Sequence, residues 1–460
     1  MSASSNKWIV LSALMLGGIM GPLDGSIVNV VLPTVANFFE AEIATAQWVP
    51  MIYFLTISSL LLFYGRLGDI WGYKRVYLYG LGSFVIASAL CGLSPSIYWL
   101  IIFRALQGLA AGMMMSVPYA IIVRAFPDAE RGKALGINAI VIALGLAIGP
   151  SLGGFITAHL GWRFIFFINV PIGIAAVIWG SRVIPEEKGK PGGLDIPGTA
   201  LAFLALSSLL LLVNRIHKWD ILSISSTCIF VLCAVGFIFR EKSTTQPMLH
   251  LGLFSNRLFS LANLSALLNF MSQYILVFVT PFYLQRALHY TPDEMGLVMT
   301  SFPLVVLVVA PFAGSLSDRI GSRFLSCAGA AICALSLVLL SQLLTADSYQ
   351  VTALSVAWRL GLFGLGTGMF QSPNNSTVMG NAPKPHLGTA SGILATMRNV
   401  GMALGIATAG AVLYSFVPPE ILAQPYLDAS QVAPFVSGLK YAYITGAVLT
   451  GIASITSVIR

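Results

Sequence analysis

The chain reads as long apolar runs separated by short polar breaks. Runs of about 20 mostly apolar residues, the length a helix needs to cross a bilayer, fall near 9–33, 46–65, 76–96, 98–120, 135–158, 164–183, 196–214 and 220–239. Six more fall near 260–284, 295–316, 324–344, 352–373, 389–415 and 437–458. The pattern predicts an all-α integral membrane fold with fourteen transmembrane helices. The opening "MSASSNKWIVLSALMLGGIM" carries one positive charge and no small-residue cleavage site, and its apolar run continues past residue 30. It reads as an uncleaved first span rather than a signal peptide.

Charge placement orients the spans. Of the 25 Lys and Arg, eighteen fall on the side of the N-terminus, with Arg398 counted there from the inner part of the thirteenth run, and five fall on the opposite side. The remaining two, Arg104 and Arg359, lie inside apolar runs. The positive-inside rule then puts both termini in the cytoplasm. Composition agrees: 9% of residues are charged and mean hydropathy is +0.85, where a soluble domain carries about 25% charged residues. The net charge of +8 is scattered at the ends of runs, not gathered on a basic face, so nucleic acid is not an expected partner. The five cysteines all lie in apolar runs without metal-ligand spacing, and the five histidines sit at helix ends and loops. No metal and no cofactor is expected.

An internal repeat divides the chain. "GRLGDIWGYKR" (Gly65–Arg75) and "GSLSDRIGSR" (Gly314–Arg323) share G-x-L-x-D-x-x-G at an offset of 249 residues. "RALQGLAAG" from Arg104 has a weaker echo in "RLGLFGLGTG" from Arg359. Two six-helix halves alone would repeat after about 200 residues, so the surplus matches one inserted hairpin. The expected organisation is an N-terminal half at 1–190, a two-helix insertion at 191–245 and a C-terminal half at 246–460. Paired halves of this kind are a transporter signature.

Polar side chains inside the spans are the candidates for chemistry. Asp24, in "GPLDGSIVNVVLP", lies about nine residues, or roughly 13 Å, from the outer end of the first span. A carboxylate at that depth costs several kcal/mol unless protonated, paired or hydrated, which makes it a candidate proton carrier. Arg104 sits at a similar depth in the fourth span. A pair that opens and closes with conformation would take up and release a proton. Asn29, Tyr53 and Tyr119, with Asn269 and Gln273 on a polar stripe that also holds Ser265, are candidates for a substrate cavity. In lipid such a stripe either lines water or bonds to a neighbouring helix. In "GLAIGPSLGG", Gly145, Gly149 and Gly153 form a groove without side chains that admits another helix backbone. Pro150 permits a bend beside it.

Together these motifs resemble the major facilitator superfamily, specifically its fourteen-helix drug:proton antiporter family, over essentially the whole chain. "GRLGDIWGYKR" is similar to the superfamily's loop signature at Gly65, Asp69, Gly72 and Lys74, followed by Arg75, but has Ile70 and Tyr73 where basic residues are usual. Asp318 and Arg319 stand in the equivalent loop of the second half. "GLAIGPSLGG" resembles the antiporter signature at Gly145, Gly149, Pro150, Gly153 and Gly154. "LDGSIVNVVLP", "FRALQGLAAG", "WRFIFFINVPIG" and "LDIPGTAL" resemble further segments of the family. The resemblance implies alternating access, with organic substrate moving out as protons move in. It also implies a latch role for Asp69 against a helix end of the other half.

The expected function is therefore a proton-driven exporter of hydrophobic or amphiphilic small molecules in a bacterial inner membrane. Because helices 9 to 14 hold no mid-membrane carboxylate, neutral or singly charged substrates are expected over doubly charged cations. An exporter of an anionic metabolite or siderophore and a proton-driven nutrient importer are the alternatives, although the first span has no E-x-x-E-R. The chain has neither a G-x-x-x-x-G-K-[ST] loop for an ATP-driven pump nor a catalytic cluster at membrane depth. Substrate identity, oligomeric state, and use of a periplasmic adaptor and outer-membrane channel are left open by the sequence.

Overall fold

The computed structural model describes residues 3–186, 189, 192–215, 220–244, 247–344, 351–383, 386–424 and 427–460. Among these residues all regular structure is helical, and fourteen helices are long and apolar enough to span a membrane. The first half comprises α1 (Lys7–Phe38), α2 (Ile43–Trp71), α3 (Tyr73–Gly92), α4 (Ile97–Ala125), α5 (Glu130–His159) and α6 (Phe164–Val183). The inserted pair is α7 (Ile196–Asn214) and α8 (Ile221–Ser243). The second half comprises α9 (Arg257–Ala287), α10 (Pro292–Ser317), α11 (Ser322–Leu343), α12 (Ala353–Gly380), α13 (Leu387–Phe416) and α14 (Ser430–Ile459). The domain boundaries expected at 190–191 and 245–246 lie outside the described residues.

Polar residues at the breaks explain where helices start. Thr291 with Glu294, and Asp428 with Gln431, form capping boxes that satisfy the first free amides of α10 and α14. Asp195 of "LDIPGTAL" accepts from the Gly198 amide at 3.1 Å, capping α7, and pairs with Arg240 of α8 at 3.0 Å. One carboxylate thus caps the hairpin and ties its two helices together.

The repeat is visible in backbone angles. Gly72, between α2 and α3, has φ 92° and ψ 135°; Gly321, between α10 and α11, has φ 91° and ψ 140°. The last glycine of G-x-L-x-D-x-x-G is therefore a requirement of the turn, since a side chain is strained at such φ. Packing repeats as well: α1 lies on α5 as α9 lies on α13, and α2 on α4 as α10 on α12. Likewise α3 packs on α4 and α6 as α11 packs on α12 and α14. The halves meet along two equivalent seams, α5 with α10 and α13 with α2. The hairpin breaks this symmetry, because α7 lies against both α2 and α13.

The Gly-Pro run of α5 now divides by direction. A Cβ on Gly145, Gly149 or Gly153 would meet Ile19, Ser26 or Ile27 of α1 within 3.1 Å, so this stripe seats α1 inside its own half. Pro150 leaves the Leu146 carbonyl without its helical donor. The Ser26 hydroxyl donates to that carbonyl at 3.0 Å, which is how the membrane interior tolerates the proline. Gly154 faces the other way. Its Cβ would fall 2.3 Å from the Pro292 carbonyl oxygen of α10, and one on Gly296 would fall 2.5 Å from that of Pro150. Two matched P-x-x-x-G segments cross there, backbone against backbone.

Candidate functional site: a buried charge cluster beneath a closed outer gate

Asp24 is 1% exposed and Arg104 is fully buried, and they pair at 2.5 Å between α1 and α4. The second carboxylate oxygen accepts from Gln107 Nε2 at 2.9 Å and from Asn169 Nδ2 of α6 at 3.3 Å. Gln107 also donates to Ser88 of α3 at 2.7 Å, while its carbonyl accepts from Arg104 at 2.6 Å. Arg104 Nε donates to the Val49 carbonyl of α2 at 3.2 Å, and the guanidinium stacks 4.1 Å from the centroid of the Tyr53 ring. Five of the six helices of the first half contribute to one cluster around this carboxylate. The matched depth of Asp24 and Arg104 was legible in sequence. Gln107, Ser88 and Asn169 were not singled out, although Gln107 lies within "FRALQGLAAG" and Asn169 within "WRFIFFINVPIG".

The second half carries a neutral counterpart. Asn269 of α9, 245 residues beyond Asp24, is fully buried beside the Cys333 thiol of α11, as Cys91 of α3 lies 3.6 Å from Gln107 in the first half. Thr367 of α12 completes it at 3.6 Å from that thiol. No acid replaces Asp24 there.

Asn29, Tyr53, Asn269 and Gln273 are all buried. Two members of the polar stripe of α9 bond to neighbouring helices: Ser265 to Thr456 of α14 at 2.8 Å, and Gln273 to Gln371 of α12 at 3.2 Å. Asn29 Nδ2 turns back onto the Gly25 carbonyl at 2.5 Å. Tyr119 is 40% exposed, fifteen residues and roughly 22 Å along α4 from Arg104, so it does not join the cluster. Arg398, placed from sequence in the inner part of the thirteenth run, is the twelfth of the thirty residues of α13.

On the side away from both termini, the outer side expected from the charge distribution, the halves are closed. Gln285 of α9 bonds to Thr34 of α1 at 3.2 Å. Arg286, 2% exposed, donates to Asn37 of α1 at 3.4 Å and to the Leu422 carbonyl at 3.3 Å. The Ala44 amide donates to Tyr414 of α13 at 3.1 Å. Sequence reading had assigned Arg286 to an outer loop, and its role in this closure was missed.

On the inner side, Asp69 is held by its own half. It accepts from Tyr73 and lies 3.5 Å from Arg66, and the Arg124 guanidinium of α4 stacks 4.5 Å from the Tyr73 ring. Tyr73, read from sequence as a departure from the loop pattern, is thus the residue that holds the acid. Lys74 donates to the Ser181 carbonyl at 2.8 Å, and Arg75 pairs with Glu186 at 2.7 Å. Gly65 has open space around it. Arg319 is exposed, and the side chain of Asp318 lies outside the described residues.

Comparison with known proteins agrees with this architecture. The chain is 39% identical over 406 residues to the riboflavin transporter RibZ of Clostridioides difficile, covering 87% of each chain. It is 33% identical over 426 residues to the multidrug resistance protein Stp of Mycobacterium tuberculosis, covering 91% of this chain and 78% of that one. A crystal structure of a POT family transporter superposes with a TM-score of 0.73 at 14% identity, covering 97% of this chain and 94% of the other, a likeness of fold. The family model for the Major Facilitator Superfamily matches residues 14–259 and 262–459. With two six-helix halves, matched turns and a whole-chain match, the protein is a transporter, not an enzyme, and belongs to the Major Facilitator Superfamily.

Proposed function

We propose that the protein exports hydrophobic or amphiphilic small molecules by alternating access, driven by inward proton movement across a bacterial inner membrane, with both termini cytoplasmic. The observation that carries this reading is the Asp24–Arg104 pair, a buried acid and base joined inside one half. The network supplies a second resting state. When Asp24 takes a proton, Arg104 keeps the Val49 carbonyl, the Gln107 carbonyl and the Tyr53 ring, and α1 loses its charged tie to α4. Asn37 at the outer gate lies thirteen residues further along α1, roughly 20 Å away, so one helix links the proton site to the gate. Relatives named for drug resistance, such as Stp, support this direction of transport.

The test is a substrate panel in proteoliposomes with an imposed pH gradient, comparing native protein with Asp24→Asn. Loss of gradient-driven flux with substrate binding retained is the expected result; unchanged flux overturns the coupling role. A second reading, transport of a nutrient such as riboflavin, is favoured by the likeness to RibZ. The direction of flux in the same vesicles separates the two.

A further inference from the structure

A cavity of about 390 Å³ lies at the end of the second half that faces the cytoplasm in the orientation proposed above. Ser317, Ser322, Arg323, Ser376, Thr377 and Arg460 are among the residues that line it. The repeat accounts for the space. In the first half the Tyr73 ring packs on Gly68, where a Cβ would fall 2.7 Å from that ring. At the repeat offset of 249 residues the same two positions hold Ser322 and Ser317. A phenol ring is thus exchanged for two small hydroxyl side chains, and both face the cavity. Lys74 becomes Arg323 at the same offset. The Ser322 and Thr377 hydroxyls lie 2.9 Å apart and join α11 to α12 at the cavity wall.

Arg460 follows the last residue of α14 and is only 7% exposed. Its Nη1 donates to the Asn374 side-chain oxygen of α12, and Asn374 Nδ2 is anchored on the Ala262 carbonyl of α9 at 3.0 Å. The second terminal nitrogen, Nη2, is buried without a hydrogen-bond partner. A buried donor of this kind is costly unless something accepts from it. Burial, and then the Arg323 guanidinium, hold Arg460 below its ordinary 12.5, at about 10. Two cations therefore share one cavity, and among the described residues neither pairs with a carboxylate. Such a concave basic site attracts anions. A carboxylate has oxygens for one guanidinium fork. A phosphate group, with three acceptor oxygens, serves both forks and the hydroxyls between them. The cavity is also of the size that holds small ligands.

We propose that this cavity binds a phosphate group, held by Arg323, Arg460 and the surrounding hydroxyls, and that the bound group ties together the ends of α10, α11, α12 and α14. Two carriers bring such a group to a cytoplasmic face: a lipid with a phosphomonoester headgroup, and soluble phosphate. The test uses the intact chain, purified in non-ionic detergent with its tag at the N-terminus so that Arg460 keeps its surroundings. One arm titrates potassium phosphate against potassium chloride by isothermal calorimetry. The other counts dioleoyl phosphatidic acid adducts against dioleoyl phosphatidylcholine adducts by native mass spectrometry. One saturable site is expected in at least one arm. Binding in the first arm alone identifies a soluble carrier, in the second alone a lipid, and in both a site that reads the phosphate whatever carries it. Arg323→Gln and Arg460→Gln should each weaken binding at least about tenfold, the worth of a charge-assisted hydrogen bond. Arg257→Gln, at an exposed arginine of the same end outside the cavity lining, should leave it unchanged. Absence of binding in both arms, native affinity in Arg323→Gln, or equal weakening by Arg257→Gln would each overturn the proposal. Should Arg460→Gln fail to fold for want of its Asn374 tie, the exposed Arg323 decides alone. No gradient is applied, so failure of proton coupling in vesicles and failure here are separate results.

Discussion

Placing a methyl group on Gly154 tests whether the α5–α10 crossing sets the balance between outward- and inward-open states. The added carbon would lie 2.3 Å from the Pro292 carbonyl oxygen and 3.1 Å from Gly296 Cα, where ordinary contact begins at 3.4 Å. The obstacle is backbone on a second helix, so the helices must part by about 1 Å. Overpacking of this kind costs about 1–3 kcal/mol. The adjacent Ser151–Thr300 hydrogen bond, 2.5 Å across the same crossing, is worth about 0.5–1.5 kcal/mol more. Together that is about 1.5–4.5 kcal/mol against the outside-closed state, a population shift of about ten- to two-thousand-fold. The assay is the labelling rate of a Thr34→Cys reporter by a membrane-impermeant maleimide, since Thr34 is half-buried in the closed gate. Gly154→Ala should speed labelling at least about tenfold. Gly136→Ala, on the same helix with open space around it, should leave the rate unchanged. Gly153→Ala presses on Ile27 within the first half and should lower stability without opening the gate. A folded Gly154→Ala protein that labels at the native rate refutes the reasoning.

Arg104→Ala strands a buried carboxylate and should cost about 3–5 kcal/mol, seen as a lower melting temperature by size-exclusion thermal assay. Adding Asp24→Asn should recover most of the loss, and a single variant as stable as native would show the pair is not the clamp. Gly72→Ala and Gly321→Ala each force a side chain into positive φ and should cost about 1–2 kcal/mol. Being far apart in the fold, the two should add in the double variant. His250, 4.4 Å from His386 between ring centroids, is held below the ordinary histidine value of 6.5 by burial and then by its neighbour. The folded form therefore binds fewer protons than the unfolded chain, so this contact stabilises the junction above pH 6.5 and loses that contribution as pH falls through the lower, folded value. A histidine-labelled NMR titration should place His250 below 6.5, and His386→Ala should move it up; a downward move contradicts the assignment.

What the sequence disclosed was governed by the solvent. Each span has to satisfy its own backbone in lipid, so hydropathy alone located all fourteen. The turn glycines Gly72 and Gly321 announced the repeat because their backbone geometry admits few other residues. Asp24 and Arg104 stood out because charge at membrane depth is rare. The partners that complete their cluster were hidden, because Ser88, Gln107 and Asn169 are ordinary polar residues whose meeting depends on how four helices rotate. The stripe on α9 had the right spacing for one face, but spacing says nothing about whether that face meets water or α12 and α14.

The inserted hairpin has a consequence for traffic from the bilayer. Of two otherwise equivalent flanks, the one between α2 and α13 is walled off by α7, whereas among the described residues no further helix lies across the flank between α5 and α10. An oily solute drifting within a leaflet would meet a third helix on one side and only the close α5–α10 crossing on the other. Any passage on that side would require the contact between Gly154 and Gly296 to part.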